Sequence, residues 1–440
     1  MKKAITLFLV CCLLIGTLSG CSSSDKASPG KVKISWWVAD TATLLEGYQK
    51  IVTEFNLINP DIEVVLSSYP SDYQSKVKAA QAAKKAPDIY IEEVLANAAT
   101  SGLFLDLTPY MKADGFVPDD IYYQPYFDYF CKYEDKYFAL PRDVFSLAIV
   151  YNKTLFDEAK IPYPEEGWTM DEFVETATKM TDHDKKQYGT IMPDIWSLFP
   201  LMWSFGADMV NEDATMATGT INSEATIKFF KFMQDMVYVD NIAPMPQQLE
   251  AFGGQEEGAG SANIFQLGKI AMMPVERYAV GDFKAAGMDL GAVSFPIGAD
   301  GEQWTYGSSP AFSISSSCKH PEETWKFLKY AFGPEGSEIL ANTGYFFPAV
   351  KSVAEKLNLE SDPLESVFLQ QLDTKNKTQL AFWWRRPEGW TGVWSPDILT
   401  PWETAWDKIL LTEKDVKTSL DEAAAEIDKN IETYKKQKGN

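Results

Sequence analysis

Two hydrophobic periods alternate in this chain from Val32 onward, and that alternation constrains the fold more than any other feature. Val32, Ile34 and Trp36 alternate with Lys33 and Ser35, the period of a half-buried strand. Leu44, Tyr48, Ile51, Val52 and Phe55 then recur at helical spacing until Asn59-Pro60 ends the run. Residues 62–66 read as a second strand, 71–85 as a second helix with Tyr73, Val77 and Ala80 on one side, and 88–91 as a third strand. A β-α-β-α-β order predicts a largely parallel sheet with helices on both faces, because parallel neighbours need a crossover connection. Ligands of such sheets bind beyond the carboxyl ends of the strands, so residues 37–40 and Glu92-Glu93 become site candidates by position.

The later chain continues the pattern. Residues 137–141 and 146–151 read as strands, and Thr169-Met170-Asp171-Glu172 is a capping box opening a helix that carries Phe173, Ala177 and Met180. An amphipathic helix is predicted over 223–238, a loop rich in Gly, Gln and Glu over 246–261, and apolar strands over 270–273 and 291–295. His320-Pro321 starts another helix, with Trp325, Leu328 and Phe332 on one face and Gly333 as its stop. A last helix over 412–436 opens on a Thr412/Asp415 box and repeats Leu420, Ala424, Ile427, Ile431 and Tyr434.

Ahead of this pattern, Lys2 and Lys3 precede an uncharged run over residues 4–18, the layout of a secretory signal. A spanning helix needs about 20 residues, so the run is too short for one. It ends in Leu18-Ser19-Gly20-Cys21, which resembles a bacterial lipobox. The resemblance implies removal of residues 1–20, a lipid on Cys21 and a flexible tether over 21–30. Cys131 and Cys318 stand outside any CxxC or metal spacing and form either one disulfide or two free thiols. The formal charge of −22 becomes −24 once Lys2 and Lys3 leave. That balance argues against nucleic acid and anionic lipid as partners, since both need a basic face.

Motifs for catalysis are missing. There is no GxSxG, no GxGxxG opening a helix, no P-loop, no HExxH and no EF-hand run, and His183 and His320 are the only histidines. No metal, cofactor or catalytic residue is expected. Tryptophan carries the signal instead: six of the 13 fall at Trp383, Trp384, Trp390, Trp394, Trp402 and Trp406. Around the first four, interleaved Arg, Pro, Gly and Ser deny the segment an apolar face. Ring faces flanked by hydrogen-bonding groups suit sugars, whose C–H groups stack on the ring. The other reading, rings packing a core, is the expectation for Trp402 and Trp406, four residues apart.

Four passages occur in order: residues 32–37 with the helix ending Phe55-Asn56-Leu57-Ile58-Asn59-Pro60; Ala86-Pro87-Asp88-Ile89-Tyr90-Ile91 with Gly102-Leu103-Phe104-Leu105-Asp106-Leu107-Thr108-Pro109-Tyr110; Lys136-Tyr137-Phe138-Ala139-Leu140-Pro141 with Val150-Tyr151-Asn152-Lys153-Thr154-Leu155-Phe156; and Ala271-Met272-Met273 running to Tyr278-Ala279. Together they resemble the extracellular solute-binding proteins of ABC importers, in the group of maltose- and other oligosaccharide-binding proteins. The resemblance implies an α/β, two-lobed periplasmic-binding-protein-like fold, each lobe a sheet flanked by helices, with the ligand cleft between the lobes. Residues 31–145 and 311–357 would form lobe I, and 146–310 and 358–440 lobe II. It also implies a monomeric, non-enzymatic receptor, lipid-anchored at the extracytoplasmic face of a bacterial cell membrane, that passes a carbohydrate, an oligosaccharide, to ABC permease transmembrane subunits.

Carried over residue by residue, the implied ligand-binding residues are Trp37, Asp40, Glu92, Glu93, Asp143, Asp194, Trp196, Glu276, Arg277, Tyr278, Trp383, Trp384 and Arg385, with Tyr278 where the family places a stacking ring. Glu92, Phe145 and Glu276-Arg277 depart from the maltose-binding branch, so an α-glucan is not implied. Asp40, Asp143 and Asp194 read equally as helix caps or turn residues. Two rival readings stay open: a lipid-anchored glycoside hydrolase using two of Glu92, Glu93, Asp143 and Glu276, and the same receptor fold with those acids holding a cationic solute such as a polyamine.

Overall fold

The computed structural model describes residues 30–438 except 41, 93–94, 125, 195–196, 212, 246–247, 250–251, 253–258, 300, 373–377, 381–395 and 413. The leader, Cys21 and most of the tether lie outside the described residues, as do Glu93, Trp196, Trp383, Trp384 and Arg385.

The opening alternation folds into β1 (Val32–Val38), β2 (Ile62–Ser68) and β3 (Ile89–Tyr90), with helices Ala42–Ile58 and Tyr73–Ala82 between them. β1 lies parallel to both β2 and β3, and its inward Ile34, Trp36 and Val38 are buried. The remaining strands are β4 (Lys132–Tyr133), β5 (Lys136–Tyr137), β6 (Ala139–Pro141), β7 (Phe145–Asn152), β8 (Met272–Glu276), β9 (Leu290–Val293), β10 (Thr305–Ser308), β11 (Ala311–Ile314) and β12 (Thr378–Leu380). Among the described residues they build two larger sheets and the small β4-β5 hairpin. The first sheet has the order β2-β1-β3-β11-β6, and the second β12-β10-β7-β8 with β9 also paired to β7.

The expected parallel pairing holds among the first three strands, and beyond them it recurs among the described residues only between β10 and β12. β11 runs antiparallel to β3 and β6, and β7 runs antiparallel to β8, β9 and β10. β8, the helix Arg277–Ala285 and β9 form a crossover unit of the kind that joins parallel strands, but β7 is inserted between the two strands in the opposite sense. Sequence periodicity marks such a unit without showing what is inserted into it.

The chain passes from the first sheet to the second at residues 142–144, returns at 309–310, and passes again before β12. These segments lie side by side. The Arg142 amide donates to the Pro310 carbonyl at 2.8 Å, the Val144 amide to the Phe347 carbonyl at 3.1 Å, and the Ser309 hydroxyl to the Asp143 carbonyl at 2.7 Å.

Aromatic clusters fill both halves. Trp36 meets Tyr48, Phe312, Phe327 and Phe332 edge-on, and Phe230 meets Trp402 and Trp406 on the helix Pro396–Thr412. Trp402 and Trp406 are therefore core residues, as their spacing suggested. The capping box is also present: the Thr169 side chain accepts from the Glu172 amide and the Glu172 carboxylate from the Thr169 amide. The last helix differs from its expected start. It spans Val416–Lys438, and its cap is Asp415 alone, which accepts from the Thr418 amide at 2.8 Å. Thr412 ends the preceding helix instead, its hydroxyl turned back to the Lys408 carbonyl. The segment read as a loop over 246–261 runs into a helix at Ala259–Gln266. Cys131 and Cys318 are free thiols.

Candidate functional site

Asp40 follows the carboxyl end of β1, and Asp143 stands where the chain first passes between the sheets. Arg142 joins them: its Nη1 donates to Asp40 Oδ1 at 3.1 Å, its Nε to Asp143 Oδ1 at 2.7 Å and its Nη2 to Asp143 Oδ2 at 3.3 Å. The Tyr48 hydroxyl, on the helix Ala42–Ile58, donates to Asp40 Oδ2 at 2.9 Å and accepts from Arg142 Nη1 at 3.0 Å. Both carboxylates and the hydroxyl are thus held by one guanidinium, whose planar fork fits such a set and whose face lies 5.0 Å from the Phe346 ring centre. Burial raises the Asp143 carboxyl, and the facing Arg142 charge opposes that rise.

The second group of residues surrounds a cavity of about 350 Å³ at the carboxyl end of β8. Phe145 and Leu147 of β7, Tyr306 and Ser308 of β10, Asp194, Ser197, Glu276 and Tyr278 are among its walls. Register places them there: Leu147 stands opposite Glu276, and Phe145 opposite Ser308. Asp194 Oδ1 accepts from the Ser197 hydroxyl at 2.7 Å and from its amide at 2.9 Å, a short turn ahead of the helix Leu198–Ser204. The Glu276 carboxyl is pushed up to about 7, first by burial and then by the Asp194 charge, against the hydrogen bond it receives from the Tyr278 hydroxyl. Burial and Glu276 in turn push the Tyr278 hydroxyl up. The residue nevertheless remains 54% exposed, so an accessible aromatic side chain stands beside the acids. The Asp143 charge also reaches Glu276, which puts the two groups of residues within electrostatic range of each other.

Three other expected residues take different positions. Glu92 accepts from the Gln81 side chain just beyond β3, near Tyr73, whose hydroxyl bonds the Ile91 amide at 2.8 Å. Trp37 is half-buried on β1, with its ring 4.8 Å from Tyr69 in an edge-on contact. Arg277 is not a cavity residue: it is buried, and Glu365 holds its guanidinium. Arg142 and Tyr48 belong to no motif, yet one signal marks the former. Arginine supplies four of the 40 basic residues, at positions 142, 277, 385 and 386, and both described ones lie in ion pairs beside this region.

Two groups of polar and aromatic residues thus stand near the segments where the chain passes between its two sheets. The chain belongs to the bacterial extracellular solute-binding protein family, whose model matches residues 50–365. A maltotriose-binding protein of Pyrococcus abyssi (strain GE5 / Orsay) is 25% identical over 351 residues, 78% of this chain and 72% of that protein. A galactooligosaccharide-binding protein of Bacillus subtilis (strain 168) is 21% identical over 438 residues, 96% of each. The solved structure of an ABC substrate-binding protein from Listeria monocytogenes in complex with cycloalternan superposes with a TM-score of 0.75 at 22% identity, covering 91% of this chain and 99% of that one. The fold is the two-lobed, periplasmic-binding-protein-like one, and both the family and these relatives are binding proteins rather than enzymes.

Proposed function

We propose that this protein is the solute receptor of an ABC importer, that it encloses a carbohydrate, most simply an oligosaccharide, between its lobes, and that it delivers this solute to membrane permease subunits. The observation that carries the reading is the accessible Tyr278 side chain on a cavity whose other walls include Glu276, Asp194 and Ser197. A sugar ring presents C–H groups to an aromatic face while its hydroxyls reach the acids. The names of the relatives, which bind maltotriose and galactooligosaccharides, support the same solute class.

Residues 31–145 with 311–357 form lobe I and 146–310 with 358–440 lobe II, a division supported by the membership of the two sheets. Asp40 and Asp143 face the solute from lobe I, and Glu276 and Tyr278 from lobe II. Closure follows from differential affinity, because the solute touches both groups only when the lobes meet. Removal of residues 1–20 and a lipid on Cys21 would hold the monomer at the outer face of the membrane.

The two acids beside Tyr278 also suit a cationic solute, and a structural neighbour, UgpB from Mycobacterium tuberculosis, was solved with glycerophosphocholine. A thermal-shift panel of oligosaccharides and polyamines separates the two. A solute at 100 times its dissociation constant stabilises by about 2.7 kcal/mol, so stabilisation by polyamines alone would refute the sugar reading.

A further inference from the structure

Arg277 lies between two cavity residues, Glu276 and Tyr278, but its side chain leaves the cavity. Its Nη2 donates to Glu365 Oε1 at 2.9 Å and its Nε to Oε2, while Nη1 donates to the Gly344 carbonyl at 3.2 Å. The guanidinium carbon stands 5.8 Å from the Phe347 ring centre. Glu365 begins the helix Glu365–Gln370, which is fixed to the second sheet: the Ser146 hydroxyl of β7 donates to the Phe368 carbonyl at 3.0 Å. Residues 344–347 instead run along the first crossing, where the Phe347 carbonyl accepts from the Val144 amide.

Phe346 is covered by Arg142, which holds Asp40 and Asp143. Two adjacent rings therefore lie under two guanidiniums, one tied to each group of candidate site residues. A second contact falls on the same carbonyl. Gly281, one turn beyond Arg277, approaches so closely that a methyl group there would stand 3.1 Å from the Gly344 oxygen.

We propose that Arg277 is a positioning residue for solute binding: by holding Glu365 and Gly344 together it fixes the pivot on which the Glu276–Tyr278 half turns against the Asp40–Asp143 half. A forked guanidinium–carboxylate pair is directional, so the helix Arg277–Ala285 cannot rotate against residues 344–347 without loosening the Gly344 contact. The pair thereby biases the balance between open and closed states without touching the solute. The inference rests on the two-lobed reading and not on what the solute is.

The test uses solute-free protein, so failure of every sugar to bind leaves its outcome unaffected. Small-angle scattering and amide hydrogen exchange are compared for wild type, Arg277→Met, Arg277→Lys and Gly281→Leu. Arg277→Met is expected to shift the radius of gyration and to speed exchange at Val144 and residues 344–347 about tenfold, a coupling of ordinary size, while amides of β1 and β2 keep their rates. Arg277→Lys, which keeps the charge facing Glu365 but loses the fork, should lie between. Wild-type scattering and exchange in Arg277→Met would overturn the proposal. So would exchange that rises evenly over both sheets, since the pair would then only hold the fold. Should Arg277→Met fail to fold, Gly281→Leu decides alone: its wedge against Gly344 shifts the scattering if this is the pivot, and wild-type scattering overturns it.

Discussion

Replacing Glu276 by Gln isolates the most perturbed carboxyl of the candidate site. Burial, and after it Asp194, pushes that carboxyl from its ordinary 4.5 up to about 7. Between those limits the folded chain holds a proton that the unfolded chain has released, so stability falls as pH rises. The stabilising effect is fully present below pH 4.5 and gone once pH passes about 7. At about 1.36 kcal/mol per pH unit, the change amounts to about 3 kcal/mol. Glutamine cannot titrate, so the unfolding free energy of the wild type minus that of Glu276→Gln should decline by about 3 kcal/mol from pH 4.5 to pH 8. Urea unfolding followed by tryptophan fluorescence at a series of pH values measures it directly. Parallel stability curves for the two proteins would refute both the burial argument and the closeness of Asp194.

Tyr278→Ala should weaken sugar binding by about 1–3 kcal/mol, the size of a lost ring stack, in calorimetric titration, with little change in melting temperature because the residue is 54% exposed. Arg142→Met leaves Asp40 and Asp143 without their guanidinium and should cost about 3–5 kcal/mol of stability, of which Arg142→Lys recovers only part; an unchanged denaturation midpoint would contradict the network. Gly291→Ala puts a methyl 2.1 Å from Tyr151 Cζ and should cost about 1–3 kcal/mol or more, partly relieved by adding Tyr151→Leu, as thermal melts would report.

The first three strands and their helices were legible because each is a local period: Ile34, Trp36 and Val38 alternate inward, and Tyr48, Ile51 and Phe55 share one helix face. The Thr169/Glu172 box was legible for the same reason, since both partners lie within one turn. Antiparallel insertion of β7 was not, because its partners lie far along the chain and nothing in a strand's own residues names its neighbour. Thr412 was misjudged because a capping pattern looks the same whether a helix begins there or another still runs through it. Within the candidate site, Asp40 was proposed from its position beyond β1, and Asp143, Asp194, Glu276 and Tyr278 from the places along the chain that the family resemblance assigns. Arg277 shows the limit of that approach: two neighbours at the cavity do not determine where a long side chain turns, and Glu365, which turned it, is 88 residues away.

β11 fills the gap between β3 and β6 in the first sheet, yet it is Ala311–Ile314, made long after both. Until it arrives, β3 and β6 lack the partner that joins them, and the hydrophobic faces above them have no closed layer to pack on. In a polypeptide led through a membrane from its amino end, the first sheet would thus remain unclosed until Ala311–Ile314, the strand that joins its two parts, emerged on the far side.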